Sequence, residues 1–182
     1  MTAGFELFDT AIGRCAIVWG PQGIVGLSLP EADDGAMRAR VRRNHTEARE
    51  QTAPPDVEAV VTNIQRLLAG EARDLSGVTL DMSRVPDFDR RVYSAARSIP
   101  PGEPLTYGEI ASRLGDVGLS RAVGQALGRN PFPIIVPCHR VLAAGGRAGG
   151  FSGAGGVETK RRLLEIERAR GLHPTLPLEW GR

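Results

Sequence analysis

Cys138 and His139 are adjacent in the stretch PFPIIVPCHRV, residues 131–141. A thiol reacts as its thiolate, and a free one ionises near pH ~8.5. A neighbouring imidazole can take the proton, directly or through a water. The imidazole then needs an acceptor that holds its tautomer and stabilises its charge, and a carboxylate on the inward face of a nearby helix would serve. Glu167 has the spacing for this: it lies four residues after Leu163 and three after Leu164, so it shares their helical face, whereas Glu165 points away. A glutamate at a helix end fraying into water would give the same pattern. The dipeptide alone leaves Cys138 open as core filler, metal ligand, redox sensor or nucleophile. Three neighbours favour the nucleophile: the prolines that stiffen the segment, the two-helix unit that precedes it and ends at Asn130, and the glycine-rich run AAGGRAGGFSGAGG that follows.

Bulk properties narrow the setting. Hydrophobic residues make up 41% of the 182, enough for a buried core. No apolar run approaches the ~20 residues of a membrane span, and MTAGFELFDT lacks the basic start and apolar stretch of a signal peptide. The two cysteines, Cys15 and Cys138, make no disulfide framework, so a reducing, cytoplasmic location is expected. His45, His139 and His173 are far apart, and neither CxxC nor HExxH occurs, so no metal is expected. The glycine run lacks the GK[ST] of a nucleotide loop, and no cofactor is expected. Residues 1–83 carry a net charge of −4 and residues 84–182 a net of +6. That split suggests an anionic partner for the second half, nucleic acid included, although an unevenly charged surface accounts for it as well.

The elements that must position the thiol follow from periodicity. FELFDT, GRCAIVWG and GIVGLSLP read as three strands joined as hairpins by turn residues, with Cys15 a small buried hydrophobe. Residues 34–50 read as a surface helix, residues 54–71 as an amphipathic helix, and GVTLDMS as a further strand. Residues 1–83 are thus expected to form an α/β domain. In PDFDRRVYSAARSI, Phe88, Val92, Ala95, Ala96 and Ile99 should face inward. Thr106 and Glu109 form a capping box that starts a helix at Tyr107. Ser120 is expected to cap the next helix, RAVGQALGRN, which Pro131 ends. Its apolar side holds Ala122, Val123, Ala126 and Leu127; Arg121, Gly124, Gln125 and Gly128 share the other. Each glycine costs ~1 kcal/mol relative to alanine there, so another backbone, of nucleic acid or of a second helix, must come close. A last helix, VETKRRLLEIERARG, should pack through Val157, Leu163, Leu164 and Ile166, and residues 171–182 form a proline-broken tail.

IIVPCHRV resembles the active-site motif of the O6-alkylguanine-DNA alkyltransferases, or methylated-DNA–protein-cysteine methyltransferases. The likeness extends through LTYGEIASRLG, SRAVGQALGRNPFPIIVPCHRV, GFSG and TKRRLLEIE, roughly residues 86–168. Residues 1–83 match only in their coarse outline. The resemblance implies an α/β N-terminal domain followed, over residues 84–170, by a mostly α, winged helix-turn-helix-like domain. It implies single-turnover repair, with an alkyl group passing from O6-alkylguanine in double-stranded DNA to Cys138. His139 would be the base acting through a water, Glu167 its orienting group and Tyr107 the proton donor to guanine. Asn130 would brace the turn. The second helix would enter the minor groove, with Arg121 filling the gap left by the flipped nucleotide and Thr106, Ala122, Gly124, Gln125 and Gly128 on the DNA side. Leu127, Val136, Val141, Phe151 and Ser152 would form the pocket, with the carbonyls of Cys138 and Val141 receiving the exocyclic amine. A monomer with no membrane partner is implied.

Between GFSG and TKRRLLEIE the chain is two residues longer than the usual family pattern, which places Glu167 29 positions after Cys138. The usual spacing of 27 would select Glu165; the helical face and the LLEIE ending select Glu167. Three other readings compete: a lesion-binding relative without a reactive cysteine, a winged-helix regulator with an incidental cysteine, and a Cys-His-Glu hydrolase that turns over repeatedly.

Overall fold

The computed structural model describes residues 3–151, 153 and 155–171. Strands β1 (Gly4–Thr10), β2 (Gly13–Gly20) and β3 (Gly23–Ser28) form the expected antiparallel hairpins. Helix α1 (Asp34–Asn44) is capped by the Asp33 carboxylate. The chain then adds β4 (Arg49–Glu50) alongside β1, in parallel, so the expected long helix stops early and the sheet order is β3-β2-β1-β4.

The sheet is covered on both faces, which is why β2 is buried at every position from Cys15 to Gly20. Phe5, Leu7, Ala16 and Val18 pack against Met37 and Val41 of α1. Phe8, Cys15, Ile17 and Trp19 face α2 (Pro55–Leu68) and join a continuous apolar cluster that reaches Cys138.

GVTLDMS is not a full strand. Only Leu80 bridges to Ile24, with Ile24 N donating to Thr79 O and Asp81 N to Ile24 O. The Arg97 guanidinium occupies the carbonyls of Leu75, Ser76 and Val78, the acceptors that another strand would need. Thr79 O comes so close to β3 that a Cβ on Gly23, at φ +129°, would lie 2.6 Å from it.

The second half is mostly helical. On α3 (Asp87–Arg97), Val92 and Ala96 are buried as expected, Ile99 just beyond it is buried too, and Phe88 and Ala95 are half-buried. Asp89 and Tyr93 also face inward, outside the expected set. Strand β5 (Leu105–Thr106) leads into α4 (Tyr107–Arg113), where the capping box forms as expected. Ser120 does not cap α5 (Ser120–Gly128): a 3-10 turn at Val117–Leu119 runs straight into the helix, the Asp116 carboxylate caps that turn, and the Ser120 hydroxyl donates back to Val117 O. Strand β6 (Val141–Leu142) pairs in parallel with β5. Leu163 and Leu164 of α6 (Gly156–Ile166) are buried and Ile166 partly so, but Val157 is 44% exposed; the inward positions begin one turn later, at Lys160. Residues 172–182 of the expected tail lie outside the described residues. Among those described, no helix is long and apolar enough to cross a membrane.

Candidate active site

The thiol sits on an over-determined turn. Asn130, just past α5, accepts from Phe132 N through Oδ1 and donates through Nδ2 to Val136 O, both at 2.9 Å. Val136 N donates to Phe132 O and Cys138 N to Val136 O. These bonds hold Ile134 at φ +73°, a conformation that costs a β-branched residue about 1–3 kcal/mol. Leu27 N of β3 donates to Pro131 O, so the N-terminal sheet helps to fix the segment. Cys138, His139 and Arg140 then form a single 3-10 turn, and all three are buried.

Behind the thiol, His139 Nε2 and Glu167 Oε1 are 3.0 Å apart. The Glu167 carboxylate also receives a fork from Arg140, Nε to Oε2 at 2.9 Å and Nη2 to Oε1 at 2.8 Å. Arg140 Nη1 donates to Ile99 O, which ties the fork to the end of α3. Burial alone would raise the Glu167 carboxyl, but the bonds and charges of His139 and Arg140 outweigh it and hold the group down to about 2. Burial lowers His139, so its imidazole is neutral near pH 7 despite the glutamate. His139 Nδ1 is buried and has no protein partner. Glu165, the other candidate, is 63% exposed and pairs with Arg161.

In front of the thiol is an open cavity of about 690 Å³. Tyr107, Arg121, Gly124, Gln125, Leu127, Gly128 and Phe151 line it together with Cys138. Eight residues singled out from the sequence therefore converge on one space. A Cβ on Gly124 would rest against the Tyr107 ring, whereas one on Gly128 would meet no atom of the described residues within 4 Å outside its own helix. Ala122 is half-buried on α5. Thr106 caps α4, and Val136 and Val141 are buried in the wall; none of these four lines the cavity. Ser152 lies outside the described residues.

Burial pushes the Cys138 thiol up; the Asn130 amide, the Lys160 charge and the backbone N–H groups of Cys138 and His139 pull it back. Burial and the nearby Cys138 charge raise the Tyr107 hydroxyl, which keeps its proton. Cys15 is a buried hydrophobe, its thiol pushed up to about 12 by desolvation. Among the described residues, no cluster of three or more His, Cys, Asp or Glu could hold a metal ion.

Several contributors to the site lie outside the residues that the sequence pattern points to. Arg140 carries no periodicity signal. Asp89 does: it precedes Val92, Tyr93 and Ala96 at helical spacing, and it accepts a bidentate pair from Arg129 at the end of α5. Residues 1–83 suggested no chemistry, yet Leu27, Leu29, Arg40, Asn44 and His45 line a second cleft, of about 480 Å³, that also reaches Cys138 and Phe151.

Comparison with known proteins agrees with this geometry. Residues 87–169 match the family model for the DNA-binding domain of 6-O-methylguanine DNA methyltransferase. The methylated-DNA–protein-cysteine methyltransferase of Methanothermobacter thermautotrophicus is 36% identical over 151 residues, covering 83% of this chain and 77% of that protein. That of Mycobacterium tuberculosis is 45% identical over 117 residues, covering 64% and 68%. The crystal structure of M. tuberculosis OGT in complex with DNA superposes with a TM-score of 0.74 at 36% identity, covering 93% of this chain and 95% of that one. A cysteine turn, a small-residue helix and a buried His–Glu pair, with this degree of likeness over most of the chain, place the protein in the methylated-DNA–protein-cysteine methyltransferase family.

Proposed function

We propose that this protein repairs double-stranded DNA by direct reversal, moving the alkyl group of O6-alkylguanine irreversibly to Cys138. The observation that carries the reading is the position of Cys138, on the floor of a cavity walled by α4 and α5 and backed by the buried His139–Glu167 pair. Residues 84–170 act as a winged helix-turn-helix-like DNA-binding domain, with α4 and α5 as the two helices. Residues 1–83 form the supporting α/β domain. The protein works as a monomer.

An alkyl group inside a duplex cannot meet a buried thiol, so the nucleotide is flipped into the cavity. Helix α5 enters the minor groove; Gly124 and Gly128 keep its surface low, and Gln125 and Ala122 sit along the groove. Arg121, exposed on α5, fills the space the base leaves. Thr106 holds the start of α4 beside the DNA. Phosphate contacts supply salt-dependent affinity without sequence preference, in keeping with the net +6 of the second half.

In the chemical step His139 takes the thiol proton through a water at Nδ1, while Glu167 fixes the ring through Nε2. The thiolate attacks the alkyl carbon, a C–S bond forms, the C–O6 bond breaks, and guanine leaves with a proton from Tyr107. Leu127 and Phe151 enclose the base, and the carbonyl of Cys138 reads its edge. The thioether has no route back, so each molecule reacts once. Titration with an O6-methylguanine duplex tests this: consumption at one lesion per protein is expected, whereas repeated turnover would indicate a hydrolase.

A further inference from the structure

We propose that the buried ammonium of Lys160 is the counter-charge of the Cys138 thiolate, a positioning residue that sets how much of the thiol is ionised at neutral pH. Lys160 is the one lysine among 23 basic residues, and it is 0% exposed. Its Nζ donates to Val141 O at 2.6 Å and to Gly150 O at 3.4 Å, and lies 5.7 Å from the centre of the Tyr107 ring. Gly150 and Tyr107 line the same cavity as Cys138, and Val141 directly follows the Cys138 turn. The ammonium therefore sits in the wall of the cavity that Cys138 also lines.

Its partners are dipoles and a ring face, and among the described residues no carboxylate pairs with it. A buried charge without a counter-ion is costly to keep. Each group around it leaves the cation uncancelled. His139 is neutral near pH 7, Arg140 is neutralised by Glu167, and Tyr107 and Tyr93, on the helices flanking Cys138, hold their protons. Glu158 and Glu165 of α6 face solvent beside Arg161. A thiolate at Cys138 is the negative charge that completes the arrangement. Burial lowers Lys160 to about 8 and the Cys138 charge acts against that shift, as the Lys160 charge acts against burial at Cys138. A compact ammonium suits this place: two N–H groups hold the carbonyls of Val141 and Gly150, and its charge acts on the sulfur through space.

The inference gains its meaning for repair from the acceptor role proposed for Cys138. It is measured without DNA, so failed pairing and failed transfer are distinguishable. Because Lys160 is the single lysine, 13Cε-lysine labelling of the whole protein gives one side-chain NMR signal. Its titration is compared between wild type and Cys138→Ser. In parallel, the pH dependence of Cys138 alkylation by iodoacetamide is followed by peptide mass in wild type and Lys160→Met. Pairing predicts that Lys160 titrates about one unit lower in Cys138→Ser than in wild type. It also predicts that the Cys138 midpoint rises by about one unit in Lys160→Met, about tenfold less thiolate at neutral pH. An unchanged Lys160 titration, or an unchanged Cys138 midpoint in folded Lys160→Met, would overturn the proposal. If Lys160→Met does not fold, the Cys138→Ser comparison decides alone.

Discussion

His139 Nε2 and Glu167 Oε1 are 3.0 Å apart although 28 positions separate the two residues, and their side chains are 1% and 3% exposed. The contact joins the Cys138 turn to the end of α6, and the Arg140 fork makes it a three-residue cluster. Buried this deeply, such a pair fixes which imidazole nitrogen faces away from Glu167, and Nδ1, which has no protein partner, is the one left to accept a proton.

Glu167→Gln keeps the shape and removes the charge. Arg140 is then buried without its counter-ion, and the expected loss of stability is about 3–5 kcal/mol. Urea unfolding checks this, and alkyl transfer to the folded fraction should slow as well. A stability loss under 1 kcal/mol would show that the cluster contributes little.

Acid should destabilise the protein through two groups. His139 is lowered in the fold, so the unfolded chain takes up its proton first and stability begins to fall as pH drops below about 6.5. Glu167 is held at about 2, against ~4.3 for an unfolded glutamate. Its contribution is complete above the unfolded value and is lost as pH falls through the folded one. Chemical denaturation over this range should show Glu167→Gln losing less on acidification than wild type.

Much of this arrangement was legible in the sequence, for physical reasons. The capping box at Thr106 and Glu109 is a local hydrogen-bond pattern, and it formed as read. The face shared by Leu163, Leu164 and Glu167 is helical geometry, and it put the carboxylate inside. Features set by distant partners were not legible. Arg97 disrupts the strand expected at GVTLDMS from 19 residues away, β4 completes the sheet with two residues, and the Asp89–Arg129 pair spans 40 positions. Lys160 was visible as the sole lysine, but its burial depends on packing between α6 and the cysteine turn.

Gly128→Ala separates folding from DNA binding. A Cβ there would meet no described atom outside its own helix within 4 Å, and alanine favours a helix by up to ~1 kcal/mol, so the midpoint of unfolding should rise or stay level. Transfer from a lesion duplex should slow, while reaction with free O6-benzylguanine should not. Equal rates on the duplex would mean that α5 does not approach DNA closely at Gly128.

Tyr93→Phe removes the hydrogen bond from α3 to Ala126 O of α5, 3.0 Å long and buried. The expected cost is about 1 kcal/mol, read as a lower urea midpoint with an unchanged slope. Arg121→Ala should leave stability alone and slow duplex repair by about tenfold relative to free O6-benzylguanine, equivalent to ~1.4 kcal/mol in the barrier. Loss on both substrates alike would argue against a role in filling the base stack.

The central claim is tested most directly by the intact mass of the protein after mixing with a duplex that carries one O6-methylguanine. A gain of one methylene mass is predicted, saturating at one per molecule, mapping to the Cys138 peptide and absent in Cys138→Ser. No gain, or a gain that persists in Cys138→Ser, would contradict the account.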